Sequence, residues 1–349
     1  LEMEYLISIV KPNIWVFTKI DSVHSEQFWT PQAIAQEESK MIKNTTEIAF
    51  LNCDDIYARQ LYELINIDKF FYTTTNEEQK QYFKKADIIW YNNSSSLDKN
   101  KSIVTQFTTI INNKEVTISN NLLGKENFWY CGVWIAITSI LFYKRENRDF
   151  FSSIDDTNHL QLSYTIQPWR LSLFYGVQDS IILDSSYNAS PQSVRSILQT
   201  WHKIQQDNFS HYKTMVVLWD MKELGDFAER EHKLVVGPIS GMANKVILVG
   251  DITKKTTYKE LLTMWFAEND ITHFANAEET WAYIKHFIHD NSDKWFIIFK
   301  GSQSWIFLEE SIKEIVYPDD HNKLCRQENY RLRIKKSFFS NNSYTSTKT

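Results

Sequence analysis

Short runs rich in Ile, Val, Leu and Phe alternate along the chain with stretches in which apolar residues return at helical spacing. The first pattern suits a strand buried on both faces, the second an amphipathic helix. In the first half, "NIWVFTKI" (13–20), "EIAFLNC" (47–53) and "ADIIWYN" (86–92) read as strands. Between them, "PQAIAQEESKMI" (31–42) and "DDIYARQLYELIN" (54–66) read as helices, the second opened by an acidic cap. "IVTQFTTIINNKEVTIS" (103–119) alternates on either side of "NNK", as a hairpin does. "ENFWYCGVWIAITSILFYK" (126–144) predicts a long, mostly buried helix.

A second series starts near residue 169. "WRLSLFYGVQDSIILDSS" (169–186) predicts a hairpin-like strand pair, and "PQSVRSILQTWHKIQQ" (191–206) a helix with Pro at its first position. Strands follow over 213–221, 245–251 and 294–301, with helices over 229–240, 257–268, 278–289 and 304–316. Alternating β and α predicts an α/β fold, a mostly parallel sheet with helices on both faces. Periodicity is weak over 146–167, so the domains are expected at 1–164 and 165–318. Residues 319–349 read as a polar, basic, mobile tail.

Composition narrows the classes. A chain of 349 residues fits two ordinary domains. A net charge of −5 argues against a dedicated nucleic-acid binder. Cys53, Cys131 and Cys325 are odd in number and far apart, which predicts a reducing, cytoplasmic setting rather than a disulfide scaffold. No apolar run reaches the roughly 18 residues of a membrane span, so membrane insertion is not expected. There are 8 glycines, where ordinary usage of about 7% gives roughly 24, and 12 tryptophans.

Several segments carry a recognisable order. They are "IVKPNIWVFTKIDSVHSEQFWT" (9–30), "LNCDD" (51–55), "ILDSSYNASPQSVRSIL" (182–198), "VVLWDMKELGD" (216–226) and "FKGSQSWIFLEE" (299–310), with a weaker "LLGKENFWY" (122–130). In this order they resemble the Mur ligases of peptidoglycan synthesis, most nearly the members that add D-alanyl-D-alanine. "SYNASP" followed about 30 residues later by "DMKELG" is the specific part. The resemblance implies the back part of a P-loop-type, ATP-binding central domain followed by a Rossmann-like C-terminal domain. It implies ATP and Mg²⁺ as cofactors, and UDP-N-acetylmuramoyl-tripeptide and D-Ala-D-Ala as substrates. A monomer is expected.

The implied chemistry has two steps. ATP phosphorylates the terminal carboxylate of the tripeptide, and the amine of D-Ala-D-Ala then attacks the acyl phosphate to form an amide. Residue by residue, the resemblance makes His24 a Mg²⁺-side catalytic residue and places Glu38 where a carbamylated lysine holds metal. A carboxylate suits that task as a hard oxygen ligand, although a solvated helix face explains Glu38 equally well. Asn127, Arg170, Asp184, Tyr187 and Asn188 fall at nucleotide-contacting positions, Lys300 is a second expected catalytic residue, and Lys300 and Ser302 fall at the incoming amino-acid substrate. Asn52, Asp54 and Asp55 read first as a helix cap.

The departures are specific. Glu126 and Tyr130 stand where the family has His and Asn, and Gln303 where it has Arg. No G-x-x-G-K-S/T loop occurs in the chain; the resemblance puts it upstream of Leu1, so these 349 residues alone are expected to be inactive. The alternatives are another Mur or folylpolyglutamate-type ligase, or a non-catalytic remnant acting as a binding module. Finally, Trp15, Trp29, Trp169, Trp219 and Trp305 stand at positions where the family carries Gly, as in "QPWR" for "P-G-R". The expected origin of both the excess and the deficit is a UGA codon read as Trp by one genetic code and as Gly by another; the alternative is drift in a decayed paralogue.

Overall fold

The computed structural model describes residues 2–20, 30–72, 86–87, 89–97, 103–111, 114–121, 125–147, 159–164, 171–301 and 307–343. Packing divides the chain into two units, Leu1–Tyr164 and Thr165–Thr349.

In the first unit, α1 (Glu2–Ile9) leads into β1 (Ile14–Phe17), α2 (Pro31–Lys43), β2 (Ile48–Asn52), α3 (Ile56–Leu64) and β3 (Asp68–Tyr72). The three strands form a parallel sheet in the order β1-β2-β3. Both faces of β2 are buried, which is why "IAFLN" is apolar without alternation. Ala49 and Leu51 face Ile34, Ile42, Ala58 and Leu61 of the two helices. Ile48 and Phe50 face the other way, onto Phe107, Val116, Ile118 and Ile137. The last four belong to a second layer. There β4 (Ile89–Leu97), β5 (Ile103–Ile111) and β6 (Lys114–Asn120) pair antiparallel, β7 (His159–Gln161) adds in parallel, and α4 (Lys125–Glu146) packs nearby.

The second unit holds one six-stranded sheet in the order β12-β11-β10-β13-β9-β8. Its strands are β8 (Ser172–Tyr175), β9 (Ile181–Ser185), β10 (Lys213–Trp219), β11 (Lys245–Val249), β12 (Ile271–Phe274) and β13 (Trp295–Lys300). All neighbours run parallel except β8 against β9. The connecting helices are α5 (Pro191–Asn208), α6 (Ala228–Leu234), α7 (Val236–Ser240), α8 (Asp251–Lys255), α9 (Thr257–Thr263) and α10 (Ala277–Asp290), followed after β13 by α11 (Glu309–Lys313) and α12 (Asn329–Ser343). One sheet face presents Val217, Trp219, Ile247, Val249, Ile297 and Phe299 to Ile284, Ile288 and Ile312. On Phe296 stacks Trp201 of α5, with ring centroids 4.1 Å apart.

The structure departs from the pattern reading in particular places. The pattern predicts no strand at β3, β7 or β12; "DKFFY", "HLQ" and "ITHF" are short and mostly half-exposed, so little apolar signal marks them. The helix expected over 257–268 stops at Thr263. The C-terminal stretch is not a free tail. α12 carries Lys335, only 4% exposed, onto the carboxylates of Glu309 and Glu310.

Candidate functional site

Pairing of β9 with β13 sets Ser185 opposite Lys300, at the carboxyl ends of both strands. That edge is where ligands bind in open parallel sheets. Here the chain leaves β9 as "SSYNASP" and enters α5. Ser190 caps that helix by accepting the Ser193 N–H at 3.3 Å, and the Ser193 hydroxyl oxygen accepts the Ser190 N–H at 3.1 Å. Pro191 occupies the first turn, where its missing N–H costs nothing.

Lys300 is buried, and its ammonium donates to Ser185 Oγ at 3.2 Å and to the Asn188 carbonyl. Lys300 therefore holds both ends of the turn. Gly301 follows because a Cβ there would lie 2.7 Å from the Ser186 carbonyl. Asn188 is exposed, and its Oδ1 accepts the Ala189 N–H. Tyr187 is half-buried beneath the Arg326 guanidinium, 5.5 Å from its ring centroid.

Asp184 points the opposite way from Ser185, as the period of a strand requires. It is fully buried, its Oδ1 accepts the Ser186 N–H at 2.9 Å, and burial pushes its carboxyl up to about 6. Nearby Glu309 raises it further and Arg326 opposes the shift. Glu309 itself is 0% exposed and sits between two cations: Arg326 Nη1 is 3.1 Å from Oε2 and Lys335 Nζ is 2.8 Å from Oε1. Cys325, beside Arg326, is buried, and burial pushes its thiol up to about 12. Sequence reasoning missed Arg326, Glu309 and Lys335. No local signal marks Arg326 or Lys335, polar tail residues that become buried only by docking, and Glu309 lies in the "FKGSQSWIFLEE" segment without a pattern that sets it apart from Glu310.

The "DMKELG" element serves the fold. Asp220 caps α8, accepting from Ile252 N–H at 3.2 Å and Thr253 N–H at 2.8 Å. His232 is fully buried; its Nε2 accepts the Met221 N–H at 2.9 Å, so Nδ1 carries the proton toward the Ala228 carbonyl at 2.7 Å.

In the first unit the cap expected from "NCDD" forms. Asp55 Oδ1 accepts from Tyr57 and Ala58 N–H at 2.9 and 2.8 Å, and Oδ2 from Ile20 N–H at 3.1 Å. Asn52 donates to the Thr18 carbonyl at 3.0 Å. Both residues thus pin Thr18 and Ile20, in the segment leaving β1. Glu38 is half-buried on α2. Its neighbour Lys40 pairs with Glu37 at 2.8 Å and Glu4 at 2.9 Å, and the Lys40 hydrogen bond holds the Glu37 carboxyl down to about 2. Among the described residues no group of three or more His, Cys, Asp or Glu side chains is placed to hold a metal ion. His24, Arg170 and Ser302, with Trp29, Trp169 and Trp305, lie outside the described residues, as does the side chain of Asn127. No helix among the described residues is long and apolar enough to cross a membrane.

A family profile described as the Mur ligase middle domain matches residues 1–129. Over these residues the chain is similar to the Mur ligase middle domain. Two curated relatives of the family are UDP-N-acetylmuramoyl-tripeptide–D-alanyl-D-alanine ligases. That of Borreliella burgdorferi is 26% identical over 307 residues, covering 86% of this chain and 58% of the relative. That of Rickettsia prowazekii is 27% identical over 260 residues, covering 72% of this chain and 52% of the relative. The chain thus spans little more than half the length of these Mur ligases. Among solved structures, MurF from Acinetobacter baumannii superposes with a TM-score of 0.66 at 16% identity, over 89% of this chain and 61% of that one. MurF from Thermotoga maritima, solved in complex with ADP, gives 0.63 at 16% identity, over 89% of this chain and 63% of that one. These likenesses establish a Mur ligase fold.

Proposed function

We propose that the chain is the ATP-binding and C-terminal part of a ligase that joins D-Ala-D-Ala to UDP-N-acetylmuramoyl-tripeptide. What carries this reading is the match to relatives of that name over 86% and 72% of the chain. The turn of Ser185–Asn188 held by Lys300 supports it.

In this reading Tyr187 and Asn188 border the nucleotide, Arg170 supplies a guanidinium to it, and Asn127 lies on the adenine side. Lys300 is a positioning residue, because its ammonium is spent on Ser185 and Asn188. Asp184 acts through the turn it anchors at Ser186. Ser302, next in sequence after Gly301, is the residue assigned to the incoming amine substrate. His24 and Glu38 would hold Mg²⁺, which neutralises charge on the transferred phosphoryl group. The γ-phosphoryl passes to the tripeptide carboxylate with release of ADP; the D-Ala-D-Ala amine then attacks that carbonyl carbon, expelling phosphate. Positioning and charge neutralisation supply most of the catalysis in such steps.

The test is ADP release by the product of the complete reading frame. Release that requires both UDP-N-acetylmuramoyl-tripeptide and D-Ala-D-Ala is expected. Equal release with a free amino acid in place of the dipeptide would overturn the substrate assignment.

A further inference from the structure

Trp265 stands in a backbone position built for another residue. α9 ends with two reversed hydrogen bonds: Phe266 N–H donates to the Leu261 carbonyl at 3.0 Å and Trp265 N–H to the Leu262 carbonyl at 3.1 Å. Together they make a Schellman motif with Met264 as the last half-helical residue and Trp265 immediately beyond it. The motif requires that residue to be left-handed, and Trp265 has φ 62°. Glycine occupies this place by default because a Cβ there meets the following carbonyl. Asn147, at φ 49° beyond α4, is of the polar type that tolerates it; a tryptophan is the wrong shape and has no local hydrogen bond to offer.

Nor does the ring gain anything by being there. Trp265 is 94% exposed, beside Met264 at 46%. A protein that needed an indole would bury part of it. The chain is also short of glycine, with 8, and rich in tryptophan, with 12. We propose that residue 265 is glycine in the protein as its own cell makes it, encoded by a UGA codon that the cell reads as glycine. The backbone geometry at 265 is independent of the five tryptophans singled out from motifs, since no motif includes this position. The exposed Trp265 and Met264 are then the end of a helix and not a docking surface.

Sequencing the gene decides the matter. TGA at codon 265 is expected, and TGG overturns the proposal. The peptide spanning residue 265, isolated from the source cells, is expected to have the mass of the glycine form; the tryptophan mass overturns it even with TGA in the gene. In recombinant full chain, W265G is expected to raise the thermal midpoint by about 2–4 °C by relieving the left-handed strain. A fall in midpoint would show that the ring is needed, and would overturn it as well.

Discussion

Single residues separate what the motifs can and cannot tell. Asp184 lies in the most specific motif, yet its carboxylate faces the interior while Ser185 meets Lys300. Its carboxyl is raised to about 6, above the ordinary value near 4. Protonation therefore favours the folded state, and the stability involved is full below about pH 4 and lost as pH rises through 6. A rise of that size corresponds to roughly 3 kcal/mol. D184N is expected to stabilise the chain at pH 7.5 and to change little at pH 4.5, read as the difference in thermal midpoint at the two pH values. His232 works in the other direction, since burial lowers its pKa and its stability is lost as pH falls below about 6.5. Gly250 is a second residue-scale case. Its φ is 105°, and a Cβ would lie 2.5 Å from the Asp220 carboxylate. G250A is expected to cost about 2 kcal/mol or more, because it adds a clash to a left-handed backbone and disturbs the cap of α8. Urea titration of the two proteins reads this directly.

Among elements, α12 is the informative one. Its sequence is polar, with no apolar stripe to announce a packed face. What docks it is a lysine: Lys335 is 4% exposed against Glu309, itself 0% exposed. Removing one partner of such a buried pair leaves an uncompensated charge. K335A is expected to destabilise the second unit by about 3 kcal/mol, seen as a lower urea midpoint. Little change would show that Arg326 alone satisfies Glu309. By contrast, α2, α5 and α10 are readable from sequence to within about two residues at each end. Each has a side-chain cap, from Thr30, Ser190 and Asn276, and caps are local chemistry.

At the scale of the molecule, each unit has its own apolar core, one around β2 and its helices and one across the six-stranded sheet. Residues 165–349 produced alone are therefore expected to unfold in a single cooperative transition, with circular dichroism and fluorescence midpoints that coincide. The whole 349-residue chain contains no G-x-x-G-K-S/T loop to cradle phosphates. It is expected to hydrolyse no ATP above background, and sustained phosphate release by the purified chain would contradict this.

The sequence by itself determined the α/β class, the buried strands, the capped helices and the order of the motifs. These depend on periodicity and on contacts between near neighbours, which a linear pattern records. The tertiary structure decided which side of β9 faces which partner, that "DMKELG" braces α8 through Asp220, and that a polar tail folds back to neutralise Glu309. It also decided that residue 265 sits in a left-handed turn. Such facts join residues far apart in the chain or depend on backbone angles, and the free energy that selects them comes from burial and charge pairing that exist only once the chain has closed on itself.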